Sequence, residues 1–587
     1  MYTPLLIFDD ECAFCRIWIE YWKRLTGDRV AYVPFQQAAD QFPDIPSERF
    51  GQSIHLALPD GEMLSGAHAV FRALSFAPGR PWLLEMYRHA PGFAATSEWV
   101  YEFVAARRSL FFHVTRLLFG PVIEPASYVR VQWLFWKILG AIYCAAFLSL
   151  AVQITGLVGS KGILPAGEYL SRISEALGSS RYWTFPTVFW LTGSSDLALV
   201  LICAAGAMLS ILLIAGFLQR IALIVCYLLY LSLTTIGQDF LSFQWDVLLL
   251  ETGFLAMFLG FSPLIVWLFR WLLFRLMLLS GAVKLLSGDA AWRSLAALNF
   301  HYYTQPLPTP LAWYTQQLPG WFQEASVVVM FAIELGAAFL IFAPRRVRFF
   351  AGFWIVFLQV IIFLTGNYTY FNLLAIALCV LLLDDASLGR GAGPRPAQSM
   401  KLIPPILAAL ILLISTGQLM GEFFGEIPAP SRFVQRMFAP LYLANTYGLF
   451  AVMTTSRHEI IVQGSNDGAQ WRDYDFKYKP GPIDRSPRWV APHQPRLDWQ
   501  MWFAALGTYR NNPWFVSFVF RLLQGSPDVL ALLHSGPFQG APPRYIRALI
   551  YDYTFTDFET RRRTGAWWKR EPLGTYLPAV SLQDFRQ

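Results

Sequence analysis

At 587 residues, 55% hydrophobic and only 14% charged, with a mean hydropathy of +0.41, the chain is not an ordinary soluble enzyme, whose composition runs at about 25% charged. The net charge of +7 is modest, and most basic residues of the apolar block fall between hydrophobic runs, which points to positive-inside topology and away from nucleic acid as a partner. Of the six cysteines, Cys12 and Cys15 form a CxxC, Cys144, Cys203, Cys226 and Cys379 lie in apolar runs, and none follows Cys379, so the C-terminal part has no disulfide chemistry.

The N-terminus, MYTPLLIFDDEC, lacks a basic start and a long apolar stretch, so no cleavable signal is expected. Leu5 to Phe8 reads as a short buried strand running into Asp9-Asp10-Glu11-Cys12-Ala13-Phe14-Cys15, and a helical pattern follows with Ile17, Trp18, Tyr21 and Trp22. Strand, CxxC, helix is the thioredoxin-like arrangement, with the first thiol at a helix N-terminus that favours thiolate. Val30 to Phe35 reads as a second strand. Ile54 to Leu58, the turn Pro59-Asp60-Gly61 and Met63-Leu64 read as a hairpin, and Ser65-Gly66-Ala67-His68-Ala69 opens another helix.

This order, with the CxxC and the GAxA word, resembles the DCC-type thiol-disulfide oxidoreductase family. The resemblance implies a redox pair at Cys12 and Cys15, and with it a thiol redox partner. One departure is the Asp10 that follows Asp9, where the family has Asp-Gly. Two nearby carboxylates raise a thiol pKa, against the helix terminus. Two further readings stand beside redox chemistry: an inert fold that retains two small buried residues, and a two-cysteine metal half-site, which falls short of the four ligands of structural zinc.

Tyr101 to Gln132 is a connector carrying Arg107, Arg108, Arg116, Arg130 and interfacial aromatics. Nine apolar segments follow, roughly 133–157, 197–217, 221–236, 247–268, 271–287, 325–343, 347–365, 371–384 and 402–420. Arg220, Arg270, Arg345, Arg346, Arg348, Arg390, Arg395 and Lys401 fall in alternate loops, on the side of the N-terminal domain. By the positive-inside rule the N-terminus is then cytoplasmic, and with an odd number of spans the C-terminal domain is periplasmic or luminal.

The stretch Phe240 to Phe258, FLSFQWDVLLLETGFLAMF, carries a single carboxylate, Glu251, in its apolar part, which is costly unless partnered. Its expected partner is Lys284 at matching depth on the next helix, or a polar pocket lined by both. Lys284 also reads as a residue that snorkels to the headgroups, and Trp245 and Tyr303 as interfacial anchors. Glu334, about nine residues into its own helix, has no such simple reading.

After the linker Gly389 to Ser399 and the last span, the chain from Gly421 is mixed and turn-rich. Tyr447 to Thr454, Glu459 to Gln463 and Arg472 to Lys477 alternate like strands, Gly464 to Gly468 forms a turn, and Tyr545 to Thr554 is a long strand. PHQPRLDWQMWF (Pro492 to Phe503) leads into a helix, and Asn512-Pro513-Trp514 starts another.

GSKGILP (Gly159 to Pro165), FLSFQWDVLLLE, SGAVKL (Ser280 to Leu285), PHQPRLDWQMWF and GAWWKRE (Gly565 to Glu571) resemble the lipase maturation factor family from Trp133 to the C-terminus. The resemblance implies a membrane-bound factor that assists the maturation of exported proteins, lipases among them, in contact with membrane lipids. SGAVKL also resembles, more distantly, a word of vitamin K-dependent gamma-carboxylase in which a lysine acts as a base.

The expected architecture is a polytopic α-helical membrane protein. It has an N-terminal thioredoxin-like α/β domain (1–120), a membrane domain (121–420) and a C-terminal β-rich α+β extracytoplasmic domain (421–587). His493, Arg496, Asp498, Trp499, Trp567 and Trp568 are candidates for a client-holding surface, Trp and Arg being frequent interface anchors. Alternatively His493, Arg496 and Asp498 form a buried polar network, and the tryptophans with their arginines dock on anionic headgroups. There is no G-x-S-x-G elbow and no HExxH, so neither a lipase nor a zincin is expected, and no cofactor or metal is implied. The rival readings are membrane enzymes: a thiol oxidoreductase using Cys12 and Cys15, or a carboxylase-like enzyme using Lys284.

Overall fold

The structure is a computed structural model describing residues 3–43, 45–120, 123–389, 402–538 and 540–585. It divides into two compact units. One holds the described residues of Met1–Ser127 with Phe342–Phe350 and of Asp384–Gly393; the other holds those of Tyr128–Ile341, Ala351–Leu383 and Pro394–Gln587.

The first unit is built on a four-stranded mixed sheet. Strand β1 (Leu5–Phe8) pairs in parallel with β2 (Ala31–Pro34) and antiparallel with β3 (His55–Ala57), which forms the hairpin with β4 (Met63–Ser65). Helix α1 (Ala13–Thr26) lays Ile19 and Trp22 on a core of Leu6, Phe8, Val30, Leu56, Leu64 and Ala69. Helix α2 (Gly66–Ser75) is capped from outside: Glu98, on α3 (Phe93–Ala105), accepts the N–H groups of Ala67 and His68 at 2.9 Å each. A carboxylate at a helix start satisfies orphan donors and complements the dipole. Gly66 makes room for it, since a Cβ there would lie 2.4 Å from the Glu98 Oε2. Helix α4 (Arg108–Phe119) follows, and the 342–350 segment adds Arg345, paired with Asp384 at 2.7 Å.

Among the described residues of the apolar block, seven helices are long and apolar enough to cross a membrane. They are α5 (Val129–Ala151), α6 (Asp196–Ala215), α7 (Gln219–Ile236), α9 (Pro263–Leu286), α10 (Gly320–Leu340), α11 (Arg345–Thr365) and α13 (Ile403–Phe424). Two expected segments are shorter helices, α8 (Gln244–Ala256) of 13 residues and α12 (Phe371–Val380) of 10. The expected break near residue 270 moves to 257–262. There the chain turns at Gly260 (φ +91), and Ser262 caps α9 by accepting the Leu264 N–H, with Pro263 in the first turn. The linker Gly389 to Ser399 and the basic residues Arg390, Arg395 and Lys401 lie, from 390 onward, outside the described residues.

The C-terminal part carries a sheet in the order β8 (Trp568–Val580), β7 (Tyr545–Phe555), β5 (His458–Ser465), β6 (Arg472–Asp473), and helices α14 (Arg496–Ala505) and α15 (Pro513–Leu523). Tyr447 to Thr454, expected as a strand, is instead irregular chain. Its Tyr447 hydroxyl and the nearby Asn445 are held by a carboxylate of the helical block, so local alternation is overridden by tertiary contact. The long strand β8 was not expected, because its second half, Glu571 to Leu577, is mostly exposed and gives no alternating signal.

Candidate functional site

Two places gather chemistry-bearing side chains. The first is the CxxC. Cys12 occupies the N-cap of α1, and its sulfur accepts the Cys15 N–H at 3.2 Å. The hydrogen bond from the Cys15 thiol, against the opposing effect of burial, brings Cys12 down to about 6, with the Cys15 N–H and Arg108 adding to it. Giving that hydrogen bond, and being buried, pushes the Cys15 thiol far above its ordinary range. The expectation that two carboxylates raise the first thiol is therefore corrected. Asp9 opposes the shift only weakly, because it sits 3.6 Å from Arg108 and accepts hydrogen bonds from the Glu11 N–H and Gln36 Nε2. The arrangement gives one partly exposed thiolate and one buried thiol beside it, the geometry of a nucleophile and a resolving partner.

The alkylation rate of Cys12 with iodoacetamide is expected to rise through pH 6 and level off above about pH 7, whereas a free thiol keeps gaining until about pH 9. Cys15→Ala removes the donor and should move the midpoint upward. A midpoint near that of free cysteine in the intact chain would refute the assignment.

The second place is a set of buried ion pairs where the C-terminal part meets the helices of the same unit. Asp246, in the first turn of α8, is fully buried and receives both guanidinium nitrogens of Arg496 at 2.8 and 2.9 Å. The hydroxyls of Tyr230 and Tyr370 donate to the same carboxylate at 2.5 and 2.8 Å, and Arg496 also reaches the Phe240 carbonyl at 2.5 Å. Burial works against the charge of Arg496, but Asp246 and its hydrogen bonds outweigh it and hold the guanidinium above its ordinary range. Trp245 and Trp499 close the cluster edge to face, with ring centres 4.7 Å apart.

Around it, the hydroxyl of Ser149 on α5 meets His493 Nδ1 at 2.9 Å, and Gln153 bonds the Gln494 carbonyl and the Arg496 N–H. Burial, with Arg496 and Lys477 nearby, lowers His493 to about 4. Asp498 accepts the N–H groups of Tyr478 and Lys479 at 2.8 and 2.9 Å, and burial raises it to about 6 against those bonds.

Glu251 and Lys284 do not pair with each other. Glu251 accepts from Arg275, from both nitrogens of Asn445 at 3.0 and 2.9 Å, and from Tyr447 at 2.7 Å. Lys284 donates to both oxygens of Glu334 at 2.9 and 2.6 Å. The reason is register. Helix α8 begins at Gln244, so Glu251 lies seven residues in, about 10 Å deep, while Lys284 is two residues from the end of α9. Glu334 sits in a π-helical turn, Ala332–Ala337, pressed on α9 at Gly281, where a Cβ would lie 3.0 Å from the Glu334 Cβ. Lys284 is thus paired inside the protein and does not snorkel. His301 stands close enough for the Lys284 charge, after burial, to lower it to about 4.

A third cluster joins Arg457 and Lys479 to Glu459 at 2.7 and 2.8 Å, and Arg457 also donates to the carbonyls of Tyr303, Gln305 and Pro306. The Arg457 guanidinium lies 5.3 Å from the ring centre of Trp568.

These placements correct most of the proposed client surface. Arg496, Asp498, Trp499 and Trp568 are each 3% exposed or less. Trp568 packs with Tyr302, Trp313, Tyr553 and Phe555, and half-buried Trp567 stacks under Arg561, 3.5 Å from its ring centre. Large aromatics gain from leaving water, and the charges buried with them are tolerated because each is paired. Trp245 is likewise buried, not an interfacial anchor. Asp246, Arg275, Arg457, Glu459 and Lys479 were missed. Only Asp246 and Arg275 carried a signal, as charges inside or beside apolar runs.

Family models match three parts of the chain: the lipase maturation factor transmembrane domain over residues 130–390, the lipase maturation factor C-terminal domain over 443–578, and the DCC1-like thiol-disulfide oxidoreductase over 6–114. Lipase maturation factor 2 of Gallus gallus is 36% identical, covering 78% of this chain and 82% of that protein. Its counterpart in Homo sapiens is 35% identical over 77% and 82%, and lipase maturation factor 1 of Mus musculus 36% over 77% and 87%. No solved structure matches.

Proposed function

The chain belongs to the lipase maturation factor family, and from that premise we propose that it is a membrane-bound factor assisting the maturation of exported proteins, lipases being the client class. The observation that carries this reading is the match to both the membrane and the C-terminal parts of the family, in an integral membrane protein whose two parts share buried ion pairs. Secreted lipase activity should fall several-fold in cells lacking the chain while lipase transcript stays constant. Unchanged secretion would refute the reading.

In the proposed orientation the N-terminal unit is cytoplasmic and the C-terminal sheet lies outside. Two facts support it. Arg220 donates to the carbonyls of Met257 and Leu259, and Arg270 to the Tyr128 hydroxyl, so these arginines cluster at the end where α5 begins. Gln494 and Arg496 bond residues at the opposite end of α5, Ser149 and Gln153. Reporters fused after Leu388 and after Phe585 should then lie on opposite sides. A common side would remove a span and overturn the placement.

The DCC1-like domain adds a dithiol–disulfide couple at Cys12 and Cys15 acting with a redox partner, supported by the lowered first thiol. Cys12→Ser tests whether client maturation needs it.

A further inference from the structure

Beside Cys15 the N-terminal unit holds a cavity of about 310 Å3. Its walls are largely apolar and carry an aromatic group, Trp18, Trp22, Phe50, Phe71 and Tyr101 among them, and Cys15 is part of the lining. We propose that this cavity takes the ring of a lipid-soluble quinone, which accepts the electrons of the Cys12–Cys15 dithiol. The proposal rests on the redox reading of that pair and names its oxidant.

Three observations select a quinone. Flat aromatic walls favour a flat ring in stacked or edge contact. Two groups of the lining, Trp18 and Tyr101, offer donors to a ligand that presents acceptors, while the Asp9 carboxylate of the lining is already engaged by the Glu11 N–H, Gln36 and Arg108. The indole N–H of Trp18 is buried without an acceptor among the described residues, an arrangement that folded proteins avoid unless something fills it. The Tyr101 hydroxyl accepts the Ile54 N–H at 2.8 Å and has its own proton to give. A quinone carries two carbonyl oxygens able to receive such donors.

Third, the site does not suit a cofactor bearing phosphates. Arg108 is the cation of the lining, and its fork already holds the Gly51 and Gln52 carbonyls at 2.9 and 2.5 Å, with Asp9 3.6 Å away. Nicotinamide and flavin nucleotides need a cradle for anionic oxygens that is not built here.

The surface of the unit also favours an apolar ligand. Helices α3 and α4 expose Trp99, Phe103, Leu110 and Leu117 next to Arg107 and Arg116, the composition of a face that lies against lipid headgroups. Val100, 45% exposed on that face, also lines the cavity. A ring held in the bilayer has a route to the thiols along it.

The chemistry balances. As the Cys12–Cys15 bond forms, the Cys12 thiolate and the Cys15 thiol lose two electrons and one proton. The quinone gains both electrons, that proton and a second from water, and leaves as the hydroquinone. The oxidised pair then passes its disulfide to a thiol partner.

The test uses the full chain in detergent, reduced and freed of reductant, then mixed with decylubiquinone, whose fully substituted ring does not add thiols. One quinone should be reduced per chain, and Cys12 and Cys15 should together become inert to alkylation. Val100→Trp, which fills the cavity from its rim, should slow this at least about tenfold, and Trp18→Phe, which removes one donor, by up to about tenfold. Both variants should keep the wild-type rate with glutathione disulfide, which reports folding and an intact dithiol. Oxidation by glutathione disulfide but not by the quinone would overturn the proposal and leave the redox reading standing. A wild-type quinone rate in Val100→Trp would also overturn it. Failure of both oxidants would end the redox reading, and the quinone site with it.

Discussion

Arg496→Met is expected to remove most of the folded protein from the membrane, and Asp246→Asn to come close to it. Each change leaves a charge or its hydrogen-bond partners stranded where neither residue reaches water: Asp246 is fully buried and Arg496 is 1% exposed. Breaking a buried pair on one side costs about 3–5 kcal/mol, against a total stability of about 5–15 kcal/mol for a typical protein. Tyr230→Phe and Tyr370→Phe each remove one donor to the same carboxylate and should cost about 1 kcal/mol. The double change Asp246→Leu with Arg496→Met removes both charges and should recover part of the loss. The readout is the monodisperse fraction of detergent-extracted protein and its melting temperature. Wild-type yield and melting in Arg496→Met would show that the pair does not hold the C-terminal part to the helices.

The same pair shows how far the sequence could be read. Arg496 and Asp246 each lie in a word recognised as specific, yet they are 250 positions apart, and neither word says that it answers the other. Local signals carried what is local: the β1–CxxC–α1 order, the 59–61 turn and the apolar runs. They carry no register: the apolar run begins at Val247 whereas α8 begins at Gln244, and depth counted from the run points Glu251 to Lys284 and not to Arg275. Trp567 and Trp568 illustrate a second limit. An aromatic-rich word reads alike on an interface and in a core, and its distant partners, Tyr302 and Trp313 from the segment between α9 and α10 and Tyr553 and Phe555 from β7, decide for the core. At the CxxC, counting carboxylates points the wrong way, because the hydrogen bond from the Cys15 thiol dominates and Arg108, nearly a hundred positions downstream, lies 3.6 Å from Asp9 and works against it.

Double-mutant cycles should separate the two intramembrane pairs. Lys284→Met leaves Glu334 enclosed without its partner, and Glu334→Leu does the same to Lys284, so each single change is expected to cost about 3–5 kcal/mol. The double change should cost far less than their sum, because the stranded charge is gone in both. Glu251→Gln strands Arg275, although a glutamine still accepts from Asn445 and Tyr447, so its loss should fall at the lower end of that range. Combined with Lys284→Met it should add within about 0.5 kcal/mol, the behaviour of sites without a shared partner. Strong coupling between Glu251 and Lys284 would refute the assigned partners, and simple additivity between Lys284 and Glu334 would mean the pair contributes nothing beyond its parts. The double change also divides the functional readings. If Lys284→Met with Glu334→Leu gives a stably folded protein that still supports lipase secretion, the pair between α9 and the π-helical turn is structural. If the folded protein is present at wild-type amount and secretion is lost, the lysine and its carboxylate are a working site, and the membrane-enzyme reading built on Lys284 takes precedence.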